Sequence, residues 1–424
     1  MSDRKYHIET LALHAGQVPD PATNACAVPV YRTTAYSFRD SKHGADLFAL
    51  KEFGNIYARL MNPTNDVLEK RLAALDGGAA ALTLASGTAA IYFALTNIAR
   101  AGDEIVSANN LYGGTFTQFD AILPQGGITV RFAPVNDLAA TEARINEKTR
   151  ALYIETVGNP NLDIADIEAY AVLAKKYHLP LVVDATFTPP TLLRPIEHGA
   201  NIVIHSLSKW IGGHGTGIGG VVIDAGNFDW SDPKFALYNE PDRGYHGLRF
   251  AHDLGDLNSL AFILRLRTVG LRNQGPTLAP DAAWIFLQGV ESLPLRMARH
   301  SENARNVAEY LAKHPKVAWV RYPGNDPLAD KYLPDGAGGM VVFGVKGGAE
   351  EARKLVDSVE LFTLLANVGD AKSLIIHPAS TTHSQLSEED QHKGGLQPEL
   401  IRLSIGLEHI DDIIGALDDA LAKL

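Results

Sequence analysis

Short runs of consecutive apolar residues alternate along the chain with longer stretches whose apolar positions recur every three or four residues. In "NPTNDVLEKRLAALDGG", Val67, Leu68, Leu72 and Leu75 share one face at helical spacing, and Gly77–Gly78 supply a C-terminal stop. Strand-like runs follow at "ALTLA" (81–85), "EIVSA" (104–108), "ALYIET" (151–156), "LPLVVDAT" (179–186), "NIVIHS" (201–206) and "GGVVID" (219–224). Helical patterns starting near Thr88 and at about 165–177 lie between them. Strands that lack polar alternation are buried on both faces, so the pattern predicts an α/β fold with a largely parallel sheet between helical layers.

After about residue 280 the pattern changes. A long helical stretch, 280–314, precedes "VAWVRY", "GGMVVFGV" and the amphipathic "IDDIIGALDDALAKL", which together read as a smaller α+β domain. The opening residues are rich in Pro, Ala and Thr without sustained periodicity and predict an extended arm, of the kind that lies across a neighbouring subunit. The expected organisation is therefore an arm over 1–64, a large domain over 65–282 and a small domain over 283–424. "WSDPKFALYNEPDRGYHGLRFAHDLGD", with its turn formers and mixed charges, reads as a surface insertion.

Composition narrows the class. The 424 residues are 46% hydrophobic, so a large core is available, and the net charge of −11 lacks the basic footprint of a nucleic-acid binder. The single Cys26 excludes an internal disulfide and a cysteine-based zinc site. "MSDRKYHIET" lacks the apolar stretch of a signal peptide, and no run reaches membrane-spanning length, which predicts a cytoplasmic protein with no membrane partner. His377 and His383 in "HPASTTH" do not have helical or hairpin ligand spacing, so no metal is expected.

Candidate chemistry centres on "HSLSKWIGGHGTGIGG" (205–220). Gly215, Gly217 and Gly220 satisfy G-x-G-x-x-G, but the following "VVID" is a strand pattern. A dinucleotide loop must instead open a helix whose N-terminus receives the pyrophosphate. The alternative is that Lys209 itself reacts, as a lysine does in a Schiff base with pyridoxal phosphate. That chemistry needs an acid for the pyridine nitrogen, donors for the phosphate and a group against the ring. Asp184 ends a strand where parallel sheets bind ligands; Ser206 and Ser208 flank Lys209; "SGTAA" (86–90) joins a strand to a helix N-terminus; and Tyr112 is placed to stack.

These residues, with "IYARLMNPT", "ASGTAA", "LYGGT", "ETVGNP", "VDATF" and "IRLSIGLE", resemble the Cys/Met-metabolism family of pyridoxal-phosphate enzymes along nearly the whole chain. Within it, the chain resembles the O-acetylhomoserine sulfhydrylase branch. The resemblance implies fold type I, with a mostly parallel seven-stranded sheet, and a homotetramer with shared active sites. It implies that Lys209 bonds the cofactor and shuttles protons, that Asp184 pairs with the ring nitrogen, and that Tyr112 stacks and assists catalysis. Ser86, Gly87, Thr88, Ser206 and Ser208 are implied to hold the phosphate, with Tyr57 and Arg59 reaching the neighbouring subunit's phosphate. Thr186 is implied as a cofactor contact, Asn159 as a neighbour of cofactor and substrate, and Arg402 and Ser373 as binders of the substrate α-carboxylate.

Ser208 stands where the family usually has Thr, Thr88 where Met is common, Ala58 for a usual Ser, and Ala185 for a frequent Asn. Gly114 stands where similar γ-lyases carry Cys, which disfavours a lyase. The reaction implied is γ-replacement on O-acetylhomoserine by sulfide or a small thiol, giving homocysteine or methionine and acetate. A γ-lyase, a cystathionine γ-synthase-type enzyme and an O-succinylhomoserine sulfhydrylase remain open alternatives.

Overall fold

The structure, a computed structural model, describes residues 5–382 and 396–424. Its first sheet contains β1 (Ala80–Leu84), β2 (Glu104–Ala108), β3 (Thr129–Ala133), β4 (Thr149–Glu155), β5 (Leu181–Asp184), β6 (Ile202–Ser206) and β7 (Gly220–Asp224). The spatial order is β1-β7-β6-β5-β4-β2-β3. Every neighbouring pair is parallel except the two that β7 makes with β1 and β6. All strand carboxyl ends but that of β7 therefore meet at one edge, where parallel α/β sheets bind ligands.

The apolar runs are buried on both faces. Val182, Ile202, Ile204 and Val222 enter one core, whereas Val183, Val203, Val221 and Ile223 enter the other. β3 was not among the runs that predict strands, because it is an edge strand with exposed Thr129 and Arg131 and reads as alternating rather than apolar. Helix Pro63–Asp76 shows how local chemistry fixes a boundary. Asn62 caps its start by accepting from the Thr64 N–H at 2.9 Å, Pro63 opens it, and Gly77 closes it at φ +75°.

The second sheet holds β8 (Val317–Arg321), β9 (Met340–Val345), β10 (Thr363–Leu364), β11 (Leu374–Ile376) and β12 (Leu400–Ser404), in the order β10-β11-β12-β9-β8. Its helices are Leu293–Lys313, Ala349–Ser358 and Ile410–Ala422. The helical stretch expected over 280–314 is two helices, Pro280–Glu291 and Leu293–Lys313. Pro294 cannot continue the hydrogen-bond ladder, so the chain breaks at Ser292. The expected boundary at 282 thus falls inside a helix that packs on helix Pro63–Asp76 of the first domain.

Two other expectations are corrected. The opening segment is not wholly extended: Ile8–His14 is a helix that docks on its own chain, with the buried Arg71 guanidinium donating to Ala15 O and Gln17 Oε1. The stretch 230–256 is not a surface insertion. Trp230, Phe235, Tyr238, Tyr245 and Phe250 are all buried and build the core that covers one face of the first sheet. Its polar residues supply turns, while the aromatics stack inward.

Trp230 is the centre of that aromatic layer, lying on Tyr238 with ring centroids 4.4 Å apart and on Phe262 at 5.5 Å. Trp230→Ala should lower stability by about 3–5 kcal/mol. Trp230→Phe, which keeps an aromatic face, should cost markedly less. Urea unfolding followed by circular dichroism checks the ranking; equal loss in both variants would contradict a stacking role.

Candidate active site

Four strand-end segments meet at the carboxyl edge of the first sheet. After β1, Ser86 caps helix Gly87–Thr96 by accepting from the Ala89 N–H at 3.0 Å. The first N–H groups of such a helix have no intrahelical acceptor and favour an anion. Gly87 packs directly on Ser206, where a Cβ would lie 2.6 Å from the serine Cβ. The absence of that methyl lets the helix start and the end of β6 share one small space. Thr88 beside it is exposed.

The end of β5 is wired to the end of β6 through a hydroxyl. Thr186 N–H donates to Asp184 Oδ1 at 2.9 Å, and Thr186 Oγ1 accepts from Ser206 N–H at 2.9 Å. Asp184 is buried and has no ion-pair partner among the described residues. Burial raises its carboxyl pKa, against the contrary pull of the Thr186 contacts, of His205 and of Tyr153. His205 explains part of that balance. Its Nδ1 faces Ala185 O at 3.1 Å and its Nε2 faces the Asp76 carboxylate at 3.0 Å. A carbonyl and a carboxylate both accept, an arrangement that favours protons on both ring nitrogens. Burial opposes that charge, but Asp76 outweighs it and holds the imidazole above its ordinary pKa.

Ser206 and Ser208 bracket the turn into Lys209, with the Ser208 hydroxyl accepting from Gly219 N–H at 3.0 Å. The Lys209 ammonium donates to Asn367 Oδ1 at 2.5 Å. Burial, and then the positive Arg402, lower the lysine pKa below its ordinary value. Arg402 on β12 is itself largely buried, which brings its guanidinium down to about 10, and it donates to Asn159 Oδ1 at 3.3 Å. Tyr112 is exposed at the start of a short helix, its N–H bonded to Glu155 Oε1 at 2.9 Å. Gly114 leaves room for its ring; a Cβ there would lie 2.5 Å from the tyrosine Cε1.

Not every expected residue joins this cluster. Tyr57 and Arg59 are exposed, with the guanidinium 5.2 Å over the tyrosine ring. Ser373 is fully buried, and its hydroxyl is committed: it donates to Glu408 at 2.9 Å and accepts from Gly406 N–H at 2.9 Å. The same segment instead brings Asn367 to Lys209. Glu155 lies in the "ETVGNP" stretch that carries the resemblance and Asn367 in none of the quoted stretches, and nothing in their spacing sets either apart. Both ring nitrogens of His377 are occupied, by Ser380 Oγ and Pro398 O, while His383 lies outside the described residues. Among the described residues no group of three or more His, Cys, Asp or Glu is placed to hold a metal ion, and no helix is long and apolar enough to cross a membrane.

The arrangement fits pyridoxal phosphate. It has a lysine of lowered pKa, a buried acid with no cation paired to it, a helix N-terminus with adjoining serine hydroxyls, and a buried arginine for a carboxylate.

Comparison with known proteins agrees with this chemistry. A model of the Cys/Met metabolism PLP-dependent enzyme family matches residues 9–422. The chain is 53% identical to the O-acetyl-L-homoserine sulfhydrylase of Leptospira meyeri, covering 99% of this chain and 98% of that one. It is 51% identical to the homocysteine synthase of Schizosaccharomyces pombe, covering 98% of each. A crystal structure of an O-acetylhomoserine (thiol)-lyase from Campylobacter jejuni superposes with a TM-score of 0.94 at 42% identity, over 98% of this chain and 100% of that one. That structure contains N'-pyridoxyl-lysine-5'-monophosphate.

The geometry separates Asn367 from Ser373. Asn367→Ala removes the acceptor for Lys209 and should shift the pH midpoint of the visible absorption of the cofactor-loaded protein. Ser373→Ala should leave that absorption unchanged and lower stability by about 1–3 kcal/mol, since Glu408 and Gly406 lose a partner. Spectrophotometric titration and thermal unfolding of both variants check this; the reverse pattern would restore Ser373 to the site.

Proposed function

The chain belongs to the Cys/Met metabolism family of PLP-dependent enzymes, and we propose that Lys209 is the base with which it turns O-acetyl-L-homoserine and sulfide into L-homocysteine and acetate. One observation carries the residue roles: Lys209 is held at a strand end by Asn367, in the field of Arg402, on the edge where Asp184 is buried. Bound pyridoxal phosphate supplies an electron sink for the pair left at the substrate Cα.

The protein's own groups do the rest. Asp184 holds the proton of the ring nitrogen, and Tyr112 covers the ring. Gly87 and Thr88 at the helix start, with Ser86, Ser206 and Ser208, cradle the phosphate, and Thr186 ties that cradle to Asp184. Arg402 grips the α-carboxylate, with Asn159 orienting its guanidinium. The lowered pKa of Lys209 enlarges its free-amine fraction at neutral pH, which suits it to take the proton from Cα. A second proton leaves Cβ, acetate departs from Cγ with its bonding pair, and hydrosulfide adds at Cγ. Protons return to Cβ and Cα to complete homocysteine. A small thiol in place of sulfide gives a thioether by the same steps.

Gly114, where similar γ-lyases carry Cys, supports replacement over elimination, and the Tyr112 ring fills the space that a side chain there would need. The exposed Tyr57 and Arg59 support an assembly in which each subunit completes a neighbour's phosphate site, and a homotetramer in the cytoplasm is the form proposed.

Purified protein should be yellow and should form homocysteine and acetate from O-acetylhomoserine and sulfide. Lys209→Ala should lose the visible band and at least about a hundredfold in rate. Product analysis across acetyl and succinyl esters, each with sulfide and methanethiol, checks the assignment. Mainly 2-oxobutyrate and ammonia would make it a lyase, and an unchanged spectrum in Lys209→Ala would remove the lysine from its role.

A further inference from the structure

Glu155 ends β4 directly across the register from Asp184 at the end of β5. The two strands are parallel neighbours, so both carboxyls emerge on the same face, the one that also carries Tyr153 and Val182. Glu155 is 7% exposed and Asp184 8%, and neither forms an ion pair with any described residue. Two abutting buried carboxylates with no cation between them repel each other, so one of them keeps its proton.

The donors decide which. Asp184 receives the Thr186 N–H at 2.9 Å and faces the Tyr153 hydroxyl at 3.5 Å, and His205 on β6 favours its charge. Glu155 receives the Tyr112 N–H at 2.9 Å, with the Thr115 hydroxyl as a weaker stabilising neighbour. A single amide donor is as well served by the carbonyl oxygen of a neutral acid as by a carboxylate. Burial, and then the charge on Asp184, push the Glu155 carboxyl well above the usual carboxylate range. Asp184 has the more numerous charge-stabilising contacts, so the preference for charge lies with it.

We propose that Glu155 is a positioning residue that works in its neutral form, anchoring the Tyr112 backbone beside Asp184 while leaving Asp184 the one negative charge of the pair. This rests on the reading of Asp184 and Tyr112 as cofactor residues. Glu155 touches neither substrate nor lysine; it acts through the two groups that bracket the ring. A carboxylic acid is suited to that position because it accepts from a backbone donor next to a buried carboxylate without adding charge.

The test compares E155Q, E155A and D184N as apo-proteins titrated with pyridoxal phosphate, read by dissociation constant and by visible circular dichroism of the bound cofactor. Glutamine reproduces the shape and acceptor of a neutral acid. E155Q should keep the dissociation constant within about threefold and preserve the dichroic band. E155A, with Tyr112 unanchored, should bind about tenfold or more weakly and lose band intensity. D184N should lose affinity and alter the spectrum whatever the state of Glu155. If E155Q fails as badly as E155A, Glu155 works as an anion and the proposal is overturned. If E155A binds as well as wild type, Glu155 positions nothing and the proposal is likewise overturned. An unaltered D184N would overturn the site assignment beneath it, a different failure visible in a different variant.

Discussion

The structure depends on a close approach of backbones around residues 207–220. The chain must present Lys209 at the end of β6, turn at once, and re-enter the same sheet as β7. At Gly220 a Cβ would fall inside contact distance of Ser86 O, and at Gly213, where φ is +72°, inside that of the Arg296 guanidinium. Gly212 lies against Leu207 O, and Gly369 from the second domain lies so near that a Cβ would be 2.6 Å from Trp210 N. The helix start at Gly87, the lysine turn, helix Leu293–Lys313 and the second domain all converge where no methyl fits. The dinucleotide-like spacing of Gly215, Gly217 and Gly220 follows from this crowding, with the glycines packed toward Phe286, Asp370 and the Ser86 turn.

The same crowding removes water from a set of charges, and each is settled by a different device. Arg296 is buried with three carbonyls, those of Trp210, Ile211 and Gly289, at 2.7–3.1 Å, so it clasps the lysine turn directly. Asp76 meets His205 and favours its charged form against the cost of burial. Burial, and then the like charge of Arg402, lower the Lys209 pKa and make its proton easier to lose. Lysine, unlike arginine, can lose its charge when buried in this way. The cost of burial thus becomes a means of setting protonation states.

The β-runs and the order of the motif residues were legible because strands buried on both faces carry an uninterrupted apolar signature. β3 was not, since its edge position gives it an alternating pattern and exposed polar residues. The segment containing Trp230 and Tyr238 was misread for a related reason. Its turns and charges dominate a linear reading, yet its aromatics find one another only when the chain folds back on the sheet. Ser373 shows the limit most clearly: its partners, Gly406 and Glu408, lie more than thirty residues along the chain.

By itself the sequence determined that Lys209, Asp184, Ser206 and the Ser86–Gly87 turn end their strands at one edge, because parallel strands align their carboxyl ends. It also determined the kind of chemistry those residue types permit. Tertiary structure alone decided that Asn367 faces the lysine, that the Ser373 hydroxyl is taken up by Glu408 and Gly406, that Glu155 lies beside Asp184, and that His205 meets Asp76. Those outcomes depend on which side chains share a space from which water is excluded. Protonation and hydrogen-bond partners there are properties of the packed arrangement, and no residue carries them before the chain has folded.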